Sequence, residues 1–268
     1  MSKIKIAVDA GHGIDTPGHR TPPMPVDIDF EKDGKIDVKK GSPIQEHVAS
    51  VGVCVRLEEE LKRNGFTVVR SGWNDANPNN DKDVPLATRQ AVIKKAGCKY
   101  SVSVHFNAYG DGTSFNSAEG VGTYIHSNPS RVGNSKKLAE YVQKYLAQGT
   151  KQKNRGIKTT ALAMCNCTAL GTKASILVEL AFMTNLHEAT NLMGSAQFWQ
   201  ECAEEICKGF CEMEGKTYIP KTDNRNDDDK KEPIYRVQIG AFSKLENAQK
   251  QLQKAKEAGF KDAFIQQK

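Results

Sequence analysis

KIKIAVDAGHG, residues 3–13, is an apolar run that stops at a histidine flanked by two glycines. Ile6, Ala7 and Val8 have the make-up of a buried strand. Gly11 and Gly13 are expected to let the chain turn sharply, leaving His12 at the strand's carboxyl end. Open α/β sheets bind their ligands at that edge. A histidine standing alone there is more often a hydrogen-bonded structural residue than a metal ligand. His12 does not stand alone, because YSVSVHF at residues 100–106 is another apolar strand that ends in a histidine, His105, followed by Asn107 and Ala108.

Between and beyond these strands the pattern alternates. Residues 43–64 are predicted to be a helix, with Pro43 in its first turn, Val51, Cys54, Leu57 and Leu61 at helical spacing and Gly65 after its end. Glu46 falls in that first turn, and His47 beside it is a weaker candidate for the same role, since only one of two adjacent helical side chains faces a given site. Residues 66–70 make a strand and residues 84–95 a helix with Leu86, Ala87, Val92 and Ile93 turned inward and Arg89 in a structural role. A strand at 120–126, a helix at 130–146, an extended segment at 157–164 and a buried strand ASILVEL at 174–180 follow. A helix at 195–212, with Phe198, Cys202, Ile206 and Phe210 on one side, closes the region. The fold class expected is α/β, a mostly parallel twisted sheet with helices on both faces.

Glu179 interrupts the last buried strand. A carboxylate there is costly unless it is paired, metal-bound or solvated, so it calls for a reason. His12, Glu46, His105 and Glu179 all sit at strand ends or a first helical turn, in segments that can meet at one sheet edge. Two imidazoles and a carboxylate are the N/O donors that a catalytic zinc takes, with a further position open. The spacings of 34 and 59 residues (12 to 46, 46 to 105) match no short metal motif.

The 268 residues are 38 % hydrophobic, enough for one good-sized domain and something small. Net charge is +6 with acidic residues nearly as numerous as basic ones, so nucleic acid is not expected as a partner. The mild positive bias suits an anionic polymer, or serves only solubility. No apolar stretch approaches a membrane span, and the first strand begins at once, so the chain is expected to be made in the cytoplasm without a signal peptide or membrane insertion. The seven cysteines form no zinc pattern and are expected to be reduced core thiols, with Cys165 and Cys167 the one pair whose spacing also suits metal binding or oxidation. The long irregular stretch at 14–42 is expected to wall a cleft. Asp29, Glu31, Asp33 and Gly34 imitate the start of a calcium loop, but Lys40 stands where its last carboxylate belongs, and a hairpin turn at Asp33-Gly34 fits better.

DAGHG at 9–13, Glu46 opening the first long helix, SVHFNA at 103–108 and LVELAFMTN at 177–185 resemble the four ordered motifs of the zinc-dependent N-acetylmuramoyl-L-alanine amidases. That resemblance implies a phosphorylase/hydrolase-like fold, Zn2+ bound by His12, Glu46 and His105, and Glu179 as the catalytic carboxylate. It implies hydrolysis of the amide between the lactyl group of muramic acid and L-alanine in peptidoglycan. Asn107 is a candidate for the metal shell or the glycan, or else caps a turn, and Arg155 is a candidate clamp for a stem-peptide carboxylate.

Residues 216–233 are polar and charged and are expected to be a linker between a catalytic domain at 1–215 and a small βαβ unit at 234–268. That unit resembles the first half of a SPOR domain, a family that binds glycan strands, and its unpaired sheet edge suggests a homodimer. The rival functions are a zinc peptidase or carboxypeptidase and a non-catalytic peptidoglycan-binding protein. Neither HExxH nor a G-x-S-x-G elbow is present. A wall hydrolase made in the cytoplasm is expected to be a phage or prophage endolysin, or an autolysin set free by lysis.

Overall fold

The computed structural model describes residues 3–221, 240–260 and 263–265. The chain divides into two compact units, Met1–Lys221 and Thr222–Lys268. The first holds strands β1 (Lys5–Ala10), β2 (Thr67–Ser71), β3 (Tyr100–Asn107), β4 (Val121–His126), β5 (Asn154–Thr160) and β6 (Ala174–Phe182). Its helices are α1 (Glu46–Arg63), α2 (Leu86–Ala96), α3 (Pro129–Val132), α4 (Ser135–Gly149), α5 (Cys167–Leu170), α6 (Leu186–Glu188) and α7 (Ala196–Met213). The strands form one sheet in the order β2-β1-β3-β6-β4-β5, parallel throughout except where β4 runs antiparallel to β6. The α/β class with helices on both faces is as expected.

Side chains alternate across a strand, so β1 sends Ile6, Val8 and Ala10 to one face and Ala7 to the other. The first set joins the main core with Leu57 and Leu61 of α1, Leu138 and Val142 of α4, and Phe198, Ile206 and Phe210 of α7. Ala7 joins a smaller cluster with Ile93 of α2, Met164 and Leu170. With β1, β3 and β6 parallel, their carboxyl ends lie along one edge, and the site is built there.

Three local expectations fail for identifiable reasons. The helix predicted from residue 43 starts at Glu46, because Gln45 is extended and residues 42–45 pair with the preceding loop: Thr21 N–H donates to Ile44 O at 2.9 Å, Met24 N–H to Ser42 O at 3.0 Å, and Arg20 bridges Gln45. The helix predicted at 130–146 is split into α3 and α4 at Gly133, whose φ of 51° and close approach to Lys173 O leave no room for a Cβ. On α2, Leu86 and Val92 are 53 % and 45 % exposed, and it is Arg89 and Ile93 that point inward. The guanidinium sets that rotation, because Arg89 pairs with Asp9 and Asp83 and donates to the carbonyls of Ala10 and His12.

The calcium-loop imitation is a hairpin: Ile28 bridges Val38, and the Asp29 carboxylate accepts from Asp33 N–H and Gly34 N–H at 3.2 and 2.7 Å. All seven cysteines are buried and free. Cys165 Sγ donates to Tyr124 O and Cys167 Sγ to Val132 O, so the two thiols face separate carbonyls rather than a shared ligand. Within the stretch expected to open the linker, Tyr218 and Ile219 dock on α1, through Tyr218 Oη to Glu60 and Ile219 N–H to Asn64, both at 2.6 Å. Residues 222–233 of that linker, and residues 235–239, 262 and 266 of the strands expected at 235–242 and 262–266, lie outside the described residues; the described parts of those strands, 240–242 and 263–265, are not in strand conformation. The helix expected between them is α8 (Leu245–Glu257) of the second unit.

Arg89 is 2 % exposed and Asp9 1 %. Truncating one partner of a buried pair strands the other charge, which costs about 3–5 kcal/mol. Arg89→Met is therefore expected to lower unfolding free energy by about that amount, measured by denaturant titration.

Candidate metal centre

His12 leaves β1, Glu46 opens α1, and His105 lies near the end of β3. One donor atom from each lies within 4.8 Å of the other two, the one such histidine–carboxylate group among the described residues. Glu46 is the hub and is 1 % exposed. Its Oε1 meets His105 Nδ1 at 3.0 Å and accepts from Phe106 N–H at 3.1 Å. Its Oε2 lies 3.4 Å from His12 Nε2 and 3.1 Å from Nδ1 of another imidazole, His19.

The DAGHG turn works differently from expectation. Its left-handed residue is the histidine itself, with φ of 58° at His12. That conformation is uncommon for a side-chain-bearing residue, and Arg89 Nη2 holds the His12 carbonyl at 2.5 Å. Gly11 is needed for space instead: a Cβ there would stand 2.5 Å from the His105 ring.

His105 is oriented from behind. Its Nε2 meets Ser103 Oγ at 3.1 Å, Ser103 Oγ donates to Asp9 Oδ2 at 2.5 Å, and Asp9 is held by Arg89 and by Ser71 Oγ. Such partners fix the tautomer and rotation of a ligating imidazole. Glu179 is the direct register partner of His105 across β3–β6, so the two side chains leave the sheet on the same face. Its Oε2 is buried with no hydrogen-bond partner among the described residues.

These groups fit a zinc ion. Two imidazole nitrogens and one carboxylate oxygen match the three-ligand N/O set of catalytic sites. An orphaned carboxylate oxygen beside them is a polar atom awaiting a partner.

His47 is excluded as an alternative ligand, because Nδ1 meets Gly11 O at 2.8 Å and Nε2 meets Asp81 Oδ2 at 3.3 Å, which ties α1 to the turn. Asn107 Oδ1 caps the next residue, accepting from Ala108 N–H at 2.8 Å, while its Nδ2 lies 3.5 Å from Tyr124 Oη. Arg155 is exposed on β5, donates to Glu119 O at 3.1 Å and lies over the Phe182 ring at 4.8 Å. From the 14–42 stretch, His19 reaches the centre. Farther on the stretch packs against α1 and α7, with Phe30 on Trp199 and Glu31 on Arg56. His19 was not among the expected residues, since its place depends on the pairing of the loop with Ser42–Gln45. The cue available was a histidine in a proline-rich loop, TPGHRTPP.

The family model for N-acetylmuramoyl-L-alanine amidases matches residues 6–212, well over half of the chain. The chain belongs to this family. It is a zinc-dependent family, and a SPOR domain model matches residues 218–268, beginning inside the stretch expected to be a linker. N-acetylmuramoyl-L-alanine amidase LytC of Bacillus subtilis is 30 % identical over 169 residues, which is 63 % of this chain and 31 % of that protein. The chain thus spans about a third of the length of that relative. Among solved structures, an N-acetylmuramoyl-L-alanine amidase from Clostridium difficile 630 superposes with a TM-score of 0.59 at 21 % identity, covering 80 % of this chain and 98 % of that one. The catalytic domain of CwlV from Bacillus (Paenibacillus) polymyxa gives 0.58 at 21 % identity, with 80 % and 99 % covered. At those identities the likeness shows the amidase fold.

Electrostatics differ across the centre. Burial drives the His12 pKa down to about 4, with His105 and His19 adding to the effect against the pull of Glu46. Neutral His12 is thus ready to bind metal at neutral pH. Burial alone would raise Glu46, but hydrogen bonds from His105 and His19 hold it well below the usual carboxylate range. Glu179 has no such donors: burial, helped by Glu46 and opposed by His105, pushes it up to about 8. A carboxyl group whose folded pKa lies above its ordinary 4.5 holds its proton more tightly in the folded state. Its contribution is greatest below pH 4.5 and is lost as pH rises through about 8. In metal-free protein, Glu179→Gln is expected to remove that decline, so melting temperatures of variant and parent converge at low pH and separate, variant higher, toward pH 8.

Proposed function

We propose that the chain hydrolyses the amide between the lactyl group of muramic acid and L-alanine of the peptidoglycan stem peptide, with His12, Glu46 and His105 as zinc ligands and Glu179 as the acid–base carboxylate. The observation that carries this is the pairing of Glu179 with His105 in register on adjacent parallel strands, one carboxylate oxygen left free beside the His-Glu-His group. Family membership supplies the bond and the substrate.

Zinc in such a site polarises a carbonyl oxygen and makes water acidic enough to lose a proton near neutral pH. The protein's residues do the rest. His12 and His105 present lone pairs, their orientation set by Arg89 and by the Ser103–Asp9 pair. Glu179, with an affinity for protons matched to neutral pH, takes the proton from the attacking water and passes it to the alanine nitrogen. A carbon–oxygen bond forms, the carbon–nitrogen bond breaks, and the products are a lactyl carboxylate and a free amine. Tyr124 and Asn107, adjacent on the same sheet face, and Arg155 one strand beyond, are proposed to line the path of glycan and stem peptide. The SPOR domain is proposed to hold the chain on glycan strands.

Glu179→Gln is expected to keep zinc stoichiometry while lowering turnover by about 10²–10⁴-fold. Mass spectrometry of digested sacculi is expected to show free lactyl carboxylate with new L-alanine amino termini, whereas new termini within the stem peptide would make the enzyme a peptidase. The proposal extends to an endolysin-like mode in which the chain meets the wall after release. Cells producing it are then expected to lyse only when a membrane pore is co-expressed, as followed by culture turbidity.

A further inference from the structure

The imidazole that the amidase motifs do not contain is the one most firmly tied to Glu46. His19 grips that residue at both ends. Its main-chain carbonyl accepts the Glu46 N–H at 2.9 Å, and its Nδ1 lies 3.1 Å from Glu46 Oε2. Its ring also stacks on His12, centroids 3.4 Å apart and planes 21° from parallel.

The backbone makes this placement stiff. The Arg20–Gln45 bridge fixes the register of the loop against the entry to α1. Thr21, 2 % exposed, donates its N–H to Ile44 O, accepts from Ile44 N–H at 3.0 Å through Oγ1, and donates that hydroxyl to Pro22 O at 2.7 Å. Met24, 1 % exposed, anchors the next turn in the main core. His19 is held where it is by its neighbours and not by its own burial, its side chain being 39 % exposed.

A carboxylate that serves as a single-oxygen ligand needs its second oxygen occupied, or the group swings. Glu46 Oε1 faces His105 Nδ1 and accepts from Phe106 N–H, while Oε2 faces His12 Nε2 and His19 Nδ1. The mutual donor set contains His12, Glu46 and His105 but not His19, so His19 stands outside the ligand group while touching two of its members.

We propose that His19 is a positioning residue of the metal centre, donating from Nδ1 to Glu46 Oε2 and thereby fixing the angle at which Glu46 meets the ion. This rests on the zinc centre proposed above. Outer partners of metal ligands set affinity as well as geometry.

The test uses the full chain and two variants, with zinc affinity from chelator competition and the visible spectrum of the cobalt(II)-loaded protein as readouts. His19→Asn keeps an amide N–H donor near the position of Nδ1 and lacks the ring; His19→Phe keeps a ring to stack on His12 and lacks the donor. The expected result is a loss of zinc affinity of about 10- to 100-fold and a shifted cobalt band for His19→Phe, with His19→Asn within about threefold of the parent. Melting of the metal-free proteins checks that both variants fold. Parental affinity and spectrum in His19→Phe overturn the proposal. So does a variant pair equally weakened, or one in which only His19→Asn is weakened, since the ring and not the donor would then matter. A parent chain that fails to retain zinc overturns the metal centre itself and this inference with it.

Discussion

The first unit is organised around one carboxylate that has no access to water. An ionised group the size of Glu46 is held away from solvent only when hydrogen bonds and opposite charge replace its hydration. Four groups do so, and they come from three separate parts of the chain: His12 from the turn after β1, His19 from the proline-rich loop, and His105 with the Phe106 N–H from β3. The first turn of α1 adds the favourable end of the helix dipole. The carboxylate thereby demands that two strands, a helix and a loop be assembled together, and it leaves imidazole nitrogens converging on one point.

A second buried carboxylate does the complementary job behind the sheet edge. Asp9 collects Ser71, Ser103 and Arg89, and through them governs both imidazoles, His105 by way of Ser103 and His12 by way of the Arg89 grip on its carbonyl. Strain at the left-handed His12 is sustained by that grip. Rigidity of this kind is what a three-ligand metal site requires of its donors. Glu179 is left outside both networks. Its neighbours desolvate it without giving its buried oxygen a donor, and burial pushes its carboxyl up to about 8.

Much of this architecture was legible from residue order. The strand ends at His12 and His105, the carboxylate inside ASILVEL and the alternation of strands with helices implied a parallel sheet with chemistry at one edge. The rotation of α2 was not legible, because hydrophobicity placed Leu86 and Val92 inward, whereas the hydrogen bonds of a single guanidinium turned Arg89 inward instead. Nor was the entry to α1, where pairing of residues 42–45 with residues 20–24 kept Pro43 out of the helix. His47 and Glu46 are adjacent in sequence, and only the β1 turn, through Gly11 O, shows which of them faces His12 and His105.

Sequence alone determined the donor types, their order along the chain and the family, since those depend on residue identity and on periodicities of two and 3.6 residues that need no knowledge of distant partners. Tertiary structure alone decided which oxygen of Glu46 meets which imidazole, that Glu179 stands in register with His105, and that His19 joins them. The reason is physical: hydrogen bonds and desolvation act over a few ångströms between residues far apart in the chain, and local pattern carries no record of those distances.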